Sequence, residues 1–155
     1  ETEYSLWTRD VEAEILPTCQ ELQISLMAYA PLGRGFLTGT IQSVDDLITG
    51  DRRRDHPRFE NENISKNKVK VKVIENIAEK NGYKPAQIAL AWVLSRDTQI
   101  VPIPGTKHRK YLDENIRAVD IVLTDAEIRE LEEAFPAGET SGARYPESQM
   151  NTLGL

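Results

Sequence analysis

Hydrophobic positions in this chain alternate between short continuous runs and longer stripes with polar gaps. The runs Ile24–Tyr29 and Ile100–Ile103 are apolar except for Ser25, as in strands of a parallel sheet that are buried on both faces. Residues 1–7 form a weaker strand candidate. Between and after these runs, apolar residues recur every three or four positions, which predicts helices. Strands alternating with helices predict an α/β fold with parallel strands and outer helices.

The first predicted helix runs from Asp10, a candidate N-cap, to about Leu22. Pro17 lies inside it and predicts either a kink or a late start. Further helices are predicted over Val69–Lys80, from Pro85 to Ser95, from Arg109 to about Ala118, and from the capping box of Thr124 and Glu127 to Ala134.

Two of these helices differ in how much of their surface is apolar. Val69, Val73 and Ile77 make a single stripe, joined by Ile74 and Ala78, so that helix should bury one face. Ile88–Leu94 is apolar at nearly every position, which predicts that this helix packs on two sides.

Two stretches show no regular period. Residues 33–67 are predicted to be a long loop, and such loops are usually lids, binding segments or disordered. For the Gly/Ser/Pro-rich tail, at about 136–155, the pattern predicts neither helix nor strand. Three short strands make a poor complete sheet, and half of a closed (β/α)8 barrel would explain both their number and the abrupt start of the chain without methionine.

Composition limits the class of protein. With 155 residues, 39% hydrophobic and 28% charged, the chain is expected to be one soluble domain over residues 1–155. The net charge of −6 argues against nonspecific nucleic-acid binding. A single cysteine, Cys19, excludes an internal disulfide and suits a reducing compartment. No apolar run reaches about 18 residues and no signal peptide is evident, so a cytoplasmic protein without a membrane span is expected.

The clearest candidate for chemistry is a cationic turn in this acidic chain. After the strand at Ile100, the sequence PGTKHRK places Gly105, Thr106, Lys107 and Arg109 at the start of a helix. Helix N-terminal amides, a hydroxyl and two cations would suit a phosphate. The alternative is that Lys107, Arg109 and Lys110 form a solvated helix face. No Cys/His spacing fits a zinc site, and His108 is expected at the surface, so no metal is predicted.

Five stretches of the sequence together carry a family resemblance. They are ETEYSLW, AYAPLGRGFLTG, HPRFENEN, PAQIALAWVL and VPIPGTKHRKYLDEN, in this order. The chain resembles the aldo-keto reductase family, in particular its bacterial and plant branch. The resemblance implies the C-terminal half of a (β/α)8 TIM barrel that binds NADPH across the carboxyl ends of its strands. It also implies reduction of aldehydes or ketones to alcohols by direct hydride transfer.

The loop after the strand at Ile24–Tyr29 matches the family's contacts to the nicotinamide and the pyrophosphate. Tyr29 occupies the place of the tyrosine that stacks on the nicotinamide ring. Ala30 stands where the family commonly has serine, so one hydroxyl contact is put in doubt. The positions that run along the pyrophosphate are Leu32, Gly33 and Arg34. Glu1 falls where the family usually has a glutamine that holds the nicotinamide carboxamide.

The turn after the last strand matches the adenosine end of the cofactor site. The matching residues are Gly105, Thr106, Lys107 and Tyr111 for the adenosine 2′-phosphate, and Glu114 and Asn115 for the adenine amino edge. Tyr111 stands where relatives often carry arginine or glutamine, so Lys107 and Arg109 would supply the charge. A carboxylate and an amide oxygen can both accept a hydrogen bond from an exocyclic amine.

The family's catalytic tyrosine, aspartate, lysine and histidine come from the first half of the barrel, so no catalytic residue is assigned in this chain. The expected partners are a small carbonyl substrate and the N-terminal half of the barrel, and the chain alone is expected to be inactive. Arg52–Arg54 could fold over the pyrophosphate as a clasp, or be a solvated charge run. Two alternatives remain open: a non-catalytic NADPH-binding regulatory subunit of the same family, and an inactive half-barrel fragment.

Overall fold

The computed structural model describes residues 1–151 and 153, and within them three parallel strands form one sheet. In sheet order these are β1 (Thr2–Glu3), β2 (Leu26–Tyr29) and β3 (Ile100–Ile103). The register pairs Glu3 with Tyr29, and Leu26 with Ile100. Since the strands are parallel, their carboxyl ends share one edge, and the loops that follow β2 and β3 are neighbours there.

The described residues also form six α-helices, of which the one that follows Lys84 packs against β3. They are α1 (Ile15–Glu21), α2 (Asn61–Asn81), α3 (Pro85–Ser95), α4 (Arg109–Ile116), α5 (Asp125–Ala134) and α6 (Glu147–Met150). Turns of 3₁₀ helix lie at Asp10–Glu12, Gly33–Thr38, Val44–Asp46, Arg52–Asp55, Pro57–Phe59 and Arg117–Asp120. Within the described part of the chain, no helix combines the length and hydropathy that a membrane crossing requires.

Local sequence features set several of these boundaries as predicted. The late start implied by Pro17 is confirmed, because α1 begins at Ile15 and the proline lies in its first turn, where no intrahelical N–H is needed. Pro85 occupies the first turn of α3. At α5, the Thr124 hydroxyl accepts from the Glu127 amide over 3.3 Å, and the Glu127 carboxylate accepts from the Thr124 amide over 2.8 Å.

The prediction for α2 was wrong in two respects. The helix begins at Asn61 rather than at Val69, so the irregular segment after β2 ends seven positions earlier than expected. Its buried residues are Ile64, Asn67, Val71, Ile74, Ile77 and Ala78, whereas Val69 is 67% exposed. The first two turns of the helix carry mostly amide and charged side chains, so the sequence shows no helical repeat of apolar residues there. The predicted burial of Ile74, Ile77 and Ala78 is confirmed, but nearer the start of the helix the buried face is shifted and includes the polar side chain of Asn67.

The two faces of the sheet differ in cover, which corrects the expectation of strands buried on both sides. Leu26, Ala28 and Ile100 point toward the helices and are almost fully buried. Met27 and Val101 lie on the opposite face and are 44% and 49% exposed. This chain therefore builds a complete interior on one face only. The predicted two-sided packing of α3 is confirmed by the burial of residues 87–93.

The segment after Pro136 packs back against the molecule. Thr140 donates from its hydroxyl to the carbonyl of Trp7 over 2.8 Å. Ser141 is held by Asn67 of α2, and Gly142 lies against Arg58. The tail thus reaches the carboxyl-terminal edge of the sheet, where Arg144 contacts Glu3 and Tyr145 contacts Tyr29.

Candidate functional site

A cleft of about 740 Å³ opens at the carboxyl-terminal edge of the sheet. One wall is the loop after β2, and the other is the loop after β3 with α4. The first turn of α3 also borders the cleft. The lining residues are Ala30, Pro31, Leu32, Arg34, Gly35, Thr38, Thr40, Arg53, Lys84, Pro85, Ala86, Pro104, Gly105, Thr106, Lys110, Tyr111, Glu114 and Asn115.

Most of the residues singled out from the sequence meet in this cleft. Those on its lining are Ala30, Leu32, Arg34, Gly105, Thr106, Tyr111, Glu114 and Asn115. Three others, Tyr29, Gly33 and Lys107, do not line it. Lys107 is exposed on the turn, whereas Gly33 is buried behind the wall. Two segments that are about 70 positions apart in sequence are thus brought face to face.

The wall formed by the loop after β2 has an unusual backbone. Ala30 and Arg34 both adopt positive φ, at 47° and 56°, which is uncommon for residues with a Cβ. At Gly33, also with positive φ, an added Cβ would lie 2.5 Å from the Trp7 ring. Gly33 therefore lets the loop pack onto Trp7, a structural role rather than a place on the lining. Backbone strain of this kind often marks a binding site.

The opposite wall is braced from beneath by α3. The side-chain amide of Gln87 donates to the backbone carbonyl of Glu114 over 3.0 Å, which ties α4 to α3. Asn115 is buried on the same side, while Tyr111 is about half exposed. The Glu114 carboxylate lies 3.9 Å from the Lys110 ammonium. This wall offers acceptors, a hydroxyl at Thr106 and the N-terminal turn of α4.

Within the described residues, four cationic side chains line the cleft, and Glu114 is the carboxylate among them. The cations are Arg34, Arg53, Lys84 and Lys110. Lys84 was not singled out from the sequence, although its place just before Pro85 marks a helix N-terminus. Lys110 was counted only as part of a possible solvated face. Of Arg52–Arg54, only Arg53 borders the cleft, because Arg54 donates to the Leu47 carbonyl.

Beside the cleft lies a buried ion cluster that the sequence did not reveal. The Glu3 carboxylate is fully buried at the end of β1 and accepts from Arg34 over 2.6 and 3.1 Å and from Arg144 over 2.9 Å. Arg58 lies 3.7 Å away and donates to the Thr8 hydroxyl, which in turn donates to Glu3. Burial alone would raise the pKa of the Glu3 carboxyl, but the charges and hydrogen bonds of Arg34 and Arg144 outweigh it and hold that pKa below its usual value.

Tyr29 is joined to the same cluster rather than to the cleft. Its phenol oxygen accepts from Arg144 and lies 3.1 Å from the Tyr145 hydroxyl. Burial and the hydrogen bond to Tyr145 raise the pKa of Tyr29 to about 12, so its phenol is neutral near pH 7.

Among the described residues, no group of three acidic, histidine or cysteine side chains is arranged to hold a metal ion.

Comparison with known proteins decides the family. The model of the family described as "Aldo/keto reductase family" matches residues 1–135. The chain belongs to the aldo-keto reductase family. The family predicted from the sequence motifs is thereby confirmed.

Two curated aldo-keto reductases show how much of such a protein this chain covers. It is 48% identical over 143 residues to probable aldo-keto reductase 1 of Glycine max, which is 92% of this chain and 41% of that protein. It is 46% identical over 149 residues to aldo-keto reductase yakc of Schizosaccharomyces pombe, whose name specifies NADP(+), with coverages of 94% and 44%. The chain therefore spans less than half the length of these aldo-keto reductases.

Solved aldo-keto reductase structures match the fold. An aldo-keto reductase from Klebsiella pneumoniae in complex with NADPH superimposes with a TM-score of 0.62 at 26% identity, covering 94% of this chain and 41% of that one. A thermostable aldo-keto reductase in complex with the inhibitor epalrestat gives a TM-score of 0.59 at 27% identity, with coverages of 86% and 38%. The predicted fold class, α/β with parallel strands from part of a (β/α)8 barrel, is confirmed.

Proposed function

We propose that this chain is the cofactor-binding part of a longer, full-length protein that reduces aldehydes or ketones with NADPH. The observation that carries the proposal is the cleft itself. It sets Arg34 and Arg53 on one wall and Lys110 on the other, with Glu114 and Asn115 beside them. The named cofactor preference of one relative and the NADPH complex of one structural neighbour support the choice of ligand.

The donor set of the cleft fits the chemistry of NADPH. The dinucleotide carries a pyrophosphate and a separate 2′-phosphate. Four cations line the cleft, and since Arg34 is paired with Glu3 and Arg53 with Asp51, Lys84 and Lys110 would carry most of the charge that meets these phosphates. The first turns of α3 and α4 contribute partial positive charge from their unpaired amides. Glu114 and Asn115 can accept from an adenine amino group.

The two walls are proposed to hold different parts of the cofactor. Gly105, Thr106 and Lys110 would bind the adenosine 2′-phosphate, with Lys107 as a more distant charge. Ala30, Leu32 and Arg34 would lie along the pyrophosphate. Tyr29, at the end of β2, would support the nicotinamide ring.

When bound, the cofactor would supply the hydride. The residues of this chain would orient it and neutralise its phosphates, while the proton donor would come from the rest of the full-length protein. The exposed apolar side chains of Met27, Val101 and Ile103 fit this division, because they line a sheet face that a second half-barrel would cover. In that arrangement the cleft opens at the carboxyl ends of the strands, where sites of such barrels are built.

The test uses the full-length protein. Binding of NADPH is measured by the change in its fluorescence, and turnover is measured as NADPH oxidation with a panel of aldehydes and ketones. Binding with turnover is expected. Binding without turnover on any carbonyl would favour a regulatory NADPH-binding subunit. Failure to bind either NADPH or NADH would overturn the assignment of the cleft.

A further inference from the structure

The C-terminal tail has a defined path against the body of the molecule. Asn67 of α2 and Ser141 exchange two hydrogen bonds of 2.9 Å, and the Thr140 hydroxyl bonds the Trp7 carbonyl. At Gly142, an added Cβ would lie 2.8 Å from the backbone nitrogen of Arg58. These contacts fix the backbone immediately before Arg144, so the packing of the tail determines where the Arg144 side chain lies.

Arg144 is a cation directed into the protein. It is 8% exposed, although arginine is seldom buried without a partner. Its Nε donates to the Glu3 carboxylate over 2.9 Å, and its Nη2 donates to the Tyr29 phenol oxygen. The planar guanidinium can serve both acceptors at once because its donors are fixed in a fork.

The two acceptors lie side by side in the sheet. The register of β1 and β2 pairs Glu3 with Tyr29, so both residues end their strands at the edge where the cleft opens. Glu3 also accepts two hydrogen bonds from Arg34, which lines the cleft. A continuous series of contacts therefore runs from Tyr29 through Arg144 and Glu3 to Arg34.

Two partners control the orientation of the Tyr29 ring. Since Arg144 donates to the phenol oxygen, the Tyr29 hydroxyl hydrogen is available for the Tyr145 oxygen, 3.1 Å away. The Tyr145 ring is itself held between the guanidinium groups of Arg34 and Arg144, at 5.0 and 5.3 Å from its centre. The Tyr29 hydroxyl therefore uses a lone pair to accept from Arg144 and can use its hydrogen to donate to Tyr145, and both partners belong to the tail.

We propose that Arg144 is a positioning residue, which holds the Tyr29 ring in the orientation that supports the nicotinamide half of the cofactor. The inference rests on the proposed function, because Tyr29 has this role only if the cleft binds NADPH. The adenosine half would be independent of Arg144, since Gly105, Thr106 and Glu114 lie on the opposite wall.

The test compares two ligands on the full-length protein. Arg144→Met keeps most of the side-chain length and removes both donors. Dissociation constants are measured by calorimetry for NADPH and for adenosine 2′,5′-bisphosphate, which lacks the nicotinamide. The expected result is about tenfold weaker NADPH binding, the size of one charge-assisted hydrogen bond. Binding of the bisphosphate should change by less than about twofold, within the range of substitutions that touch no ligand contact.

Equal weakening of both ligands, or unchanged NADPH binding, would overturn the proposal. If the unaltered protein binds neither ligand, it is the proposed function that fails. Arg144→Lys keeps the charge but not the fork, and it should recover only part of the NADPH affinity.

Two smaller changes keep the proposal testable if Arg144→Met does not fold. Tyr29→Phe removes the phenol and keeps the ring, and it should weaken NADPH binding while leaving the bisphosphate unaffected. In a double-mutant cycle, adding Arg144→Met to Tyr29→Phe should cost much less than Arg144→Met alone, because the group that Arg144 orients is already gone. Strict additivity would show that Arg144 does not act through the phenol. Unchanged NADPH binding by Tyr29→Phe would also contradict the proposal.

Discussion

Asn67 and Ser141 exchange a pair of hydrogen bonds across 74 positions of sequence. The Asn67 side-chain amide donates to the Ser141 carbonyl over 2.9 Å, and the Ser141 backbone amide donates to the Asn67 side-chain oxygen over the same distance. A side-chain amide presents one donor and one acceptor in the same spacing as a peptide, so α2 binds the tail as a neighbouring strand would.

Replacement of Asn67 should therefore loosen the tail. In Asn67→Ala the half-buried amide and carbonyl of Ser141 lose their partners, and the free energy of unfolding should fall by about 2 kcal/mol. Urea denaturation of the full-length protein measures this change. Asn76→Ala, at an exposed position of the same helix, is the control and should have little effect. Equal stability of both variants would show that the tail is held by other contacts.

A second prediction compares two glycines of the tail that both have positive φ, Gly142 at 86° and Gly138 at 79°. An added Cβ at Gly138 meets nothing within 4 Å, so Gly138→Ala should cost about 1 kcal/mol from backbone conformation alone. At Gly142 the Cβ would also strike the Arg58 backbone, so Gly142→Ala should cost about 3 kcal/mol. Urea denaturation measures both, and equal costs would contradict the close approach to Arg58.

A third prediction concerns pH. The pKa of the Glu3 carboxyl is lower in the folded protein than in the unfolded chain, so its stabilisation is present at neutral pH and is lost as pH falls through the folded pKa, below 4.5. Glu3→Gln should be about 3 kcal/mol less stable than the unaltered protein at pH 7, because three arginines lose a buried counter-charge. This difference should narrow in acid.

The measurement is the urea midpoint of both proteins from pH 7 to pH 3. Glu62→Gln is the matched control, because Glu62 is exposed and its ion pair with Lys66 lies at the surface. It should differ little from the unaltered protein at any pH. A stability gap for Glu3→Gln that stays constant with pH would refute the charge argument.

A fourth prediction separates two lysines of the turn after β3. Lys110 lines the cleft and Lys107 does not, although the family resemblance points to Lys107. Lys110→Gln should weaken NADPH binding about tenfold and NADH binding little, because only NADPH carries the 2′-phosphate. Lys107→Gln should have a smaller effect. If Lys107→Gln gives the larger loss of NADPH discrimination, the assignment reverts to Lys107.

The fifth prediction refines the proposed clasp of three arginines. Arg53 donates to the Arg34 carbonyl over 2.8 Å and so supports the loop in which Arg34 has positive φ. Arg53→Ala should speed NADPH dissociation about fivefold, the loss of one ordinary hydrogen bond. Arg52→Ala, an exposed neighbour, should leave the rate unchanged in stopped-flow measurements. Similar rates for both variants would remove Arg53 from the clasp.

The sequence predicted those helices and strands that depend on residues close together in the chain. Strand β3 and helix α3 follow from continuous apolar runs, and α5 follows from the Thr124–Glu127 capping box. The first turns of α2 were missed because Asn67 is buried by a partner 74 positions away, which no local period can encode.

Sequence motifs predicted residues on both walls of the cleft, because each wall is built mainly from one contiguous stretch of the chain. The contact of Arg144 with Glu3 spans 141 positions and depends on the path of the tail, so it was visible only in three dimensions.

The single carboxylate of Glu3 has a consequence for how this protein can vary over evolutionary time. Arg34, Arg58 and Arg144 reach it from three separate segments. A change at position 3 would leave three cations without their shared counter-ion, and the loss of any one arginine would alter the charge balance for the other two. Positions 3, 34, 58 and 144 should therefore change together or not at all among related sequences.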